Sequence, residues 1–121
     1  MCYFSLVWVV TFYQRAIELD PTSAYPHNGL GNVYRALGRR EEALAAYQRA
    51  IELDPNFAVP HFNWALLEAE RGNKDAAFEH LEQAIELEPE EARRRAREAA
   101  GFDSIRDAPR FRELVEGDDH G

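Results

Sequence analysis

The side chains able to do chemistry in this chain are few and scattered. Its serines are Ser5, Ser23 and Ser104, and none sits in the Gly-x-Ser-x-Gly setting of a hydrolase nucleophile. No glycine-rich loop offers backbone N–H groups to a phosphate, and no His-Glu-x-x-His places two imidazoles on one helix face. His27 and His61 stand 34 residues apart, each directly after a proline, and are placed to be neighbours. Two imidazoles hold a metal only with further ligands, and none has the right spacing. His27 and His61 therefore read as packing residues, His80 and His120 as solvated ones, and no metal or cofactor is expected. Glu41-Glu42 and Glu90-Glu91 head predicted helices, where acids favour the partial positive charge of the helix start. Cys2 has nothing near it that would activate a thiol. No enzyme is read from these residues.

Composition narrows the field further. At 121 residues the chain has room for one ordinary domain. Hydrophobic residues make up 45% and charged residues 30%, a globular balance rather than a disordered one. The net charge of -8 repels phosphate backbones and anionic lipid, so nucleic acid is excluded as a partner and a membrane surface is disfavoured. A single cysteine can form neither an internal disulfide nor a structural zinc site. That fits a reducing compartment, and a cytoplasmic location is expected.

The elements that carry these residues repeat. Tyr13-Gln14-Arg15-Ala16-Ile17-Glu18-Leu19-Asp20-Pro21 returns as Tyr47-Gln48-Arg49-Ala50-Ile51-Glu52-Leu53-Asp54-Pro55, and again as Leu81-Glu82-Gln83-Ala84-Ile85-Glu86-Leu87-Glu88-Pro89. The offset is 34 residues both times. Pro26-His27 recurs as Pro60-His61, Gly38 as Gly72, and Ala43-Leu44 as Ala77-Phe78. Within each period the apolar spacing predicts two helices: about 24–37 and 40–53, then about 58–71 and 74–87. Gly38 and Gly72 can take the left-handed cap conformation. Asp54-Pro55 stops a helix, because proline pushes its predecessor out of the helical region. Pro26 and Pro60 fall in first turns, where a missing N–H costs little. Gly31, Ala43, Ala65 and Ala77 let paired helices approach, and Tyr47, Phe62, Trp64 and Leu81 fill wider gaps.

This pattern resembles the tetratricopeptide-repeat (TPR) family. Leu30, Gly31, Tyr34, Gly38, Ala43, Tyr47, Ala50 and Pro55 carry the likeness, followed by Ala65, Gly72, Ala77, Leu81, Ala84 and Pro89. Glu68 departs from it, standing where the family usually has an aromatic. The resemblance implies an all-α, right-handed superhelical solenoid of helix hairpins: two full repeats (24–57 and 58–91), one half repeat (1–20), capping helices (92–115) and a tail (116–121). It also implies a non-catalytic module binding a peptide or helix of another protein in a groove lined by first helices. Those helices offer Tyr25, Asn28, Asn32 and Arg35, then Val59, Phe62, Asn63, Leu66 and Glu70, with Arg93 and Arg97 joining if the next helix continues the path. Chaperone-binding members grip C-terminal carboxylates with a clamp of Lys, Asn, Asn, Lys and Arg. The matching places here are Asn28, Asn32, Asn63, Arg93 and Arg97, so an anionic ligand is an option and Asn28 is the departure.

Both ends leave the repeat. The first helix has no partner of its own, and Val9 stands where the repeats have alanine. Phe4, Val7, Trp8 and Phe12 add apolar surface at an end that solenoids usually make polar. An alternative function is therefore a structural unit that self-associates, as a homodimer, through this helix. The run from Met1 to Tyr13 stops short of the roughly 20 apolar residues of a membrane span. After Pro89, Ala92, Ala96, Ala99 and Ala100 form a narrow stripe, and Gly101 is expected to end that helix. Asp103 and Asp107 read as N-caps and Pro109 as a first-turn residue. Phe102, Ile105, Phe111, Leu114 and Val115 are spaced to close the end of the solenoid.

Overall fold

The computed structural model describes residues 2–117, and their side chains from residue 6 onward. Cys2 and Phe4, as side chains, and His120 lie outside what it describes. The chain divides into two compact units, Met1–Pro60 and His61–Gly121. Among the described residues every regular element is helical.

The first unit holds α1 (Cys2–Leu19), α2 (Tyr25–Ala36) and α3 (Arg40–Leu53). Leu6, Val9, Val10, Tyr13, Ala16 and Ile17 share one half-buried side of α1, the spacing of an amphipathic helix. Two glycines let α2 approach its neighbours. A Cβ on Gly31 would lie 2.4 Å from the Tyr47 ring of α3, and one on Gly29 would lie 2.3 Å from the Tyr13 ring of α1. Each tyrosine thus lies over a glycine, and each contact closes because no Cβ stands in the way. Between α2 and α3, Gly38 takes φ 78°. The turn is closed by N–H bonds from Gly38 to Arg35 O (3.0 Å) and from Arg39 to Tyr34 O (2.8 Å).

The second unit takes in most of α4 (Ala58–Glu70), then α5 (Lys74–Leu87), α6 (Pro89–Glu98), a 3₁₀ turn (Ala100–Ile105) and α7 (Pro109–Glu116). Gly72, at φ 86°, repeats the turn of Gly38 with bonds from Gly72 to Ala69 O (3.1 Å) and from Asn73 to Glu68 O (2.8 Å). Its core joins Ala65, Leu66 and Ala69 of α4, Ala77, Phe78, Leu81 and Ala84 of α5, and Ala92 and Ala96 of α6. Phe102, Ile105, Phe111 and Val115 from the end of the chain complete it.

The stop between repeats has a second cause besides proline. Asp20 Oδ1 accepts the Thr22 N–H at 3.1 Å, and Asp54 Oδ1 accepts the Asn56 N–H at 3.1 Å. These Asx turns carry the chain away from the helix axis. In the third copy the aspartate is Glu88, and α6 starts immediately at Pro89. The last region departs from expectation at its caps. Gly101 lies inside the 3₁₀ turn, and α6 already ends at Glu98 with Ala99 extended (ψ 120°). Ala99 and Ala108 occupy the N-cap places, without a side-chain cap bond. Asp103 instead pairs with Arg106 at 3.1 Å, and Asp107 lies 3.9 Å from Arg112.

Candidate functional site

Tyr25, Asn28, Asn32 and Arg35 recur on one side of α2, within one 80° arc of helical spacing. Tyr25 is 71% exposed, its ring 4.8 Å from that of Phe57. Asn28 and Arg35 are half-buried. Asn32 is exposed, and its Oδ1 accepts the hydroxyl of the buried Tyr47 at 2.7 Å. That bond fixes the amide with its oxygen toward α3 and its NH2 group on the opposite side.

The groove positions expected in the second unit are occupied differently. Phe62 and Leu66 are only 7% and 8% exposed. The Phe102 ring meets Phe62 edge-on at 5.5 Å, and a Cβ on Gly101 would lie 2.6 Å from Leu66 Cδ2. Ser104 Oγ donates to Ala69 O at 3.3 Å. The chain's own 3₁₀ turn therefore covers these two side chains, and they are core residues rather than an open lining. Asn63 is buried too, while Glu70 remains exposed.

Arg93 and Arg97 also face a task inside the fold. Arg93 Nε donates to Leu114 O at 2.9 Å, and an Arg97 NH group donates to Val115 O at 2.7 Å. Both carbonyls belong to the last turn of α7, whose C-terminal acceptors have no helical partner. Arg106 does the same for α6, donating to Ala96 O (3.4 Å), Arg97 O (2.9 Å) and Ala99 O. Its guanidinium also lies 5.5 Å from the centre of the Phe111 ring.

A polar cluster missed in the sequence lies between α4 and α5. The buried Glu68 carboxylate accepts Trp64 Nε1–H at 3.1 Å and the Asn73 amide at 2.9 Å. The His80 ring stacks on Trp64 at 4.1 Å with 16° between planes. His80 is thus half-buried rather than solvated, because an aromatic face on the other helix of its own hairpin shields it. Its Nδ1 lies 3.2 Å from Gln83 Oε1. His61 is buried 6.4 Å from the His80 ring, and its Nδ1 has no hydrogen-bond partner among the described residues. Burial, above all, lowers the pKa of both imidazoles, and their mutual repulsion adds to the effect at His61. Burial likewise lowers His27, with Arg49 second.

Glu68 and Asn73 have counterparts one repeat earlier in Tyr34 and Arg39, where the guanidinium lies 5.4 Å from the ring centre. An aromatic–cation contact in one hairpin is replaced by a carboxylate–amide contact in the next, across the same turn. No group of three or more His, Cys, Asp or Glu able to hold a metal occurs among the described residues.

Protein-family models for the tetratricopeptide repeat match residues 24–57 and 61–91, together more than half of the chain. The chain belongs to the tetratricopeptide-repeat family. As such it is an all-α TPR protein, of a class that in general mediates protein interactions and is non-catalytic. Among solved structures it is similar to the crystal structure of MamA, with a TM-score of 0.64 and 23% sequence identity. The match covers 88% of this chain and 65% of that one, so the chain spans about two thirds of the length of MamA. At that identity the likeness speaks for the TPR fold alone. No curated protein matches. Among the described residues no helix is long and apolar enough to cross a membrane.

Proposed function

We propose that this TPR protein holds an extended segment of another protein on the face of α2, through Tyr25, Asn28, Asn32 and Arg35. The observation that carries this is the orientation of Asn32. Because Tyr47 donates to its oxygen, the NH2 group stands opposite that bond, with donors suited to backbone carbonyls of an extended peptide. Tyr25 adds an exposed ring for an apolar side chain, and Arg35 favours an acidic one. With Arg93 and Arg97 bonded to the carbonyls of α7, the anionic preference rests on Arg35 rather than on a two-carboxylate clamp.

A displayed peptide library panned against the purified protein tests the proposal. Selected peptides should lose about tenfold in affinity on Asn32→Ala, the loss of one good hydrogen bond to a ligand. A smaller loss is expected on Tyr47→Phe, which frees the amide to turn. Peptides that bind both variants as well as the parent would place the site elsewhere.

The exposed side of α1 favours a second reading, in which the protein is a structural unit that self-associates. Val7, Trp8 and Phe12 are 57%, 67% and 68% exposed. Apolar side chains of that size in a cluster mark an interface more often than a solvated face. A cytoplasmic location suits either reading, since the single cysteine asks for no oxidising compartment.

A further inference from the structure

Four exposed side chains of α1 fall on one narrow stripe: Trp8, Phe12, Arg15 and Leu19. Their spacings of four, three and four residues keep them within one 60° arc of the helix. Trp8, Phe12 and Leu19 are 67%, 68% and 73% exposed, and the Arg15 side chain is 70% exposed, paired with Glu18 at 3.1 Å. One repeat later the same positions hold Glu42, Ala46, Arg49 and Leu53. Glu42 and Arg49 are solvated and Ala46 is buried. The repeat itself therefore asks for no aromatic at either Trp8 or Phe12.

Two candidates could cover the stripe as a helix. The first is a helix that would complete a TPR hairpin with α1. Ala43 and Ala77, both wholly buried, set the close approach of such a helix in the later repeats, and α1 has Val9 there. A hairpin partner would also leave Trp8 uncovered, at a position where the repeat carries the solvated Glu42. The second is another copy of α1, and the order of the residues favours it. The spacing reads the same from either end. Two copies running antiparallel place Trp8 against Leu19 of the other copy, and Phe12 against its Arg15. Both contacts are then made twice. A guanidinium over a phenyl ring is an attractive pairing. A parallel arrangement would instead set Arg15 against Arg15, two like charges in one seam.

We propose that this face of α1 is the seam of an antiparallel homodimer, formed by Trp8, Phe12, Arg15 and Leu19 of both copies. The proposal rests on the self-association reading above and adds its partner, direction and register. A large aromatic covers roughly 150–250 Å² when fully buried. With two aromatics, a leucine and an arginine stem per copy, the seam buries on the order of 1,000 Å² in total, at the low end for a specific interface. The dimer is accordingly weak and concentration-dependent.

Sedimentation equilibrium up to about millimolar chain reads the association itself, with Arg15→Glu as the test of the seam. Arg15→Glu should weaken the dimer at least tenfold, because it sets an acid against the face of Phe12. The direction is read by cross-linking in a Cys2→Ser background. Thr11→Cys chains are mixed with Glu18→Cys chains and treated with a short bis-maleimide. Both positions are exposed and flank the stripe, and antiparallel pairing brings 11 of one copy beside 18 of the other. A hybrid cross-linked dimer supports the proposal. A dimer that forms without this cross-link, or that ignores Arg15→Glu, overturns the antiparallel seam while leaving self-association standing. A chain that stays monomeric throughout, whether or not it sediments with lipid vesicles, overturns both.

Discussion

His61 and His80 show how far a residue's surroundings can differ from its sequence setting. His80 stands between Glu79 and Leu81 on a half-buried side of α5, and the Trp64 ring lies flat against it. Burial lowers both imidazoles below their ordinary value of about 6.5, while Gln83 opposes this at both, and Glu68 and Glu79 oppose it at His80. A lowered folded pKa means the unfolded chain takes up its protons first. The stabilisation is complete above about pH 6.5 and is lost as the pH falls through that value toward the folded pKa. The denaturation midpoint of the protein should therefore drop between pH 7.5 and pH 5, and His61→Leu should flatten that drop. An equal slope in the variant would rule out His61 as its source. Glu91 acts only in a far more acid range: hydrogen bonds from Arg94, then Arg95, hold it at about 2.

At the scale of the element, the turns inside the two full repeats are local and were readable from residues. Gly38 and Gly72 adopt the left-handed backbone that their spacing demanded, and the helices resume at Arg40 and Lys74. Pairings made across the fold were not readable in the same way. Arg93 and Arg97 have the spacing of a ligand-facing pair, but only the return of α7 shows that its own carbonyls take them. Phe62 and Leu66 have the alternation of a lining, and nothing in α4 announces that Phe102 and Gly101 will lie on them. Glu68 departed from the family pattern, and the departure was visible; its partners Trp64 and Asn73 were not. Asp103 and Asp107 are good N-cap types, but Arg106 and Arg112 compete for them. Arg106 is the strongest element-level device, since one side chain caps three carbonyls at the end of α6. Arg106→Ala should destabilise the protein by about 1–3 kcal/mol in chemical denaturation, the range for hydrogen bonds from a charged donor. Arg106→Lys should recover little of it, because the compact ammonium lacks the planar spread of the two guanidinium NH2 groups that reach these separate carbonyls. Full recovery by lysine would reduce the role to charge alone.

On the scale of the whole molecule, the two units are built from the same repeat and finished differently. The first leaves an apolar stripe of α1 in solvent. The second closes its core with its own terminal segment, Phe102, Ile105 and Phe111 being at most 2% exposed. A solenoid is stable roughly as a sum of repeats and their neighbours, so its ends matter more than those of a globular domain. Removing residues 99–121 should therefore cost more than the lost helix alone. The shortened chain bares Phe62, Leu66 and Phe78, and it should aggregate or bind a hydrophobic dye at concentrations where the full chain does not. A well-behaved truncation would mean that the core holds without its cover.

The three-carbonyl clasp of Arg106 has one consequence for the life of the protein. A protease that nicks the stretch around Ala99 to Gly101 would leave the clasp, and the wrapping over Leu66, held by non-covalent contacts alone and able to leave as a separate fragment. What remains would carry the greasy signature by which quality-control machinery recognises damaged chains. A single severed peptide bond would thus mark the molecule for disposal.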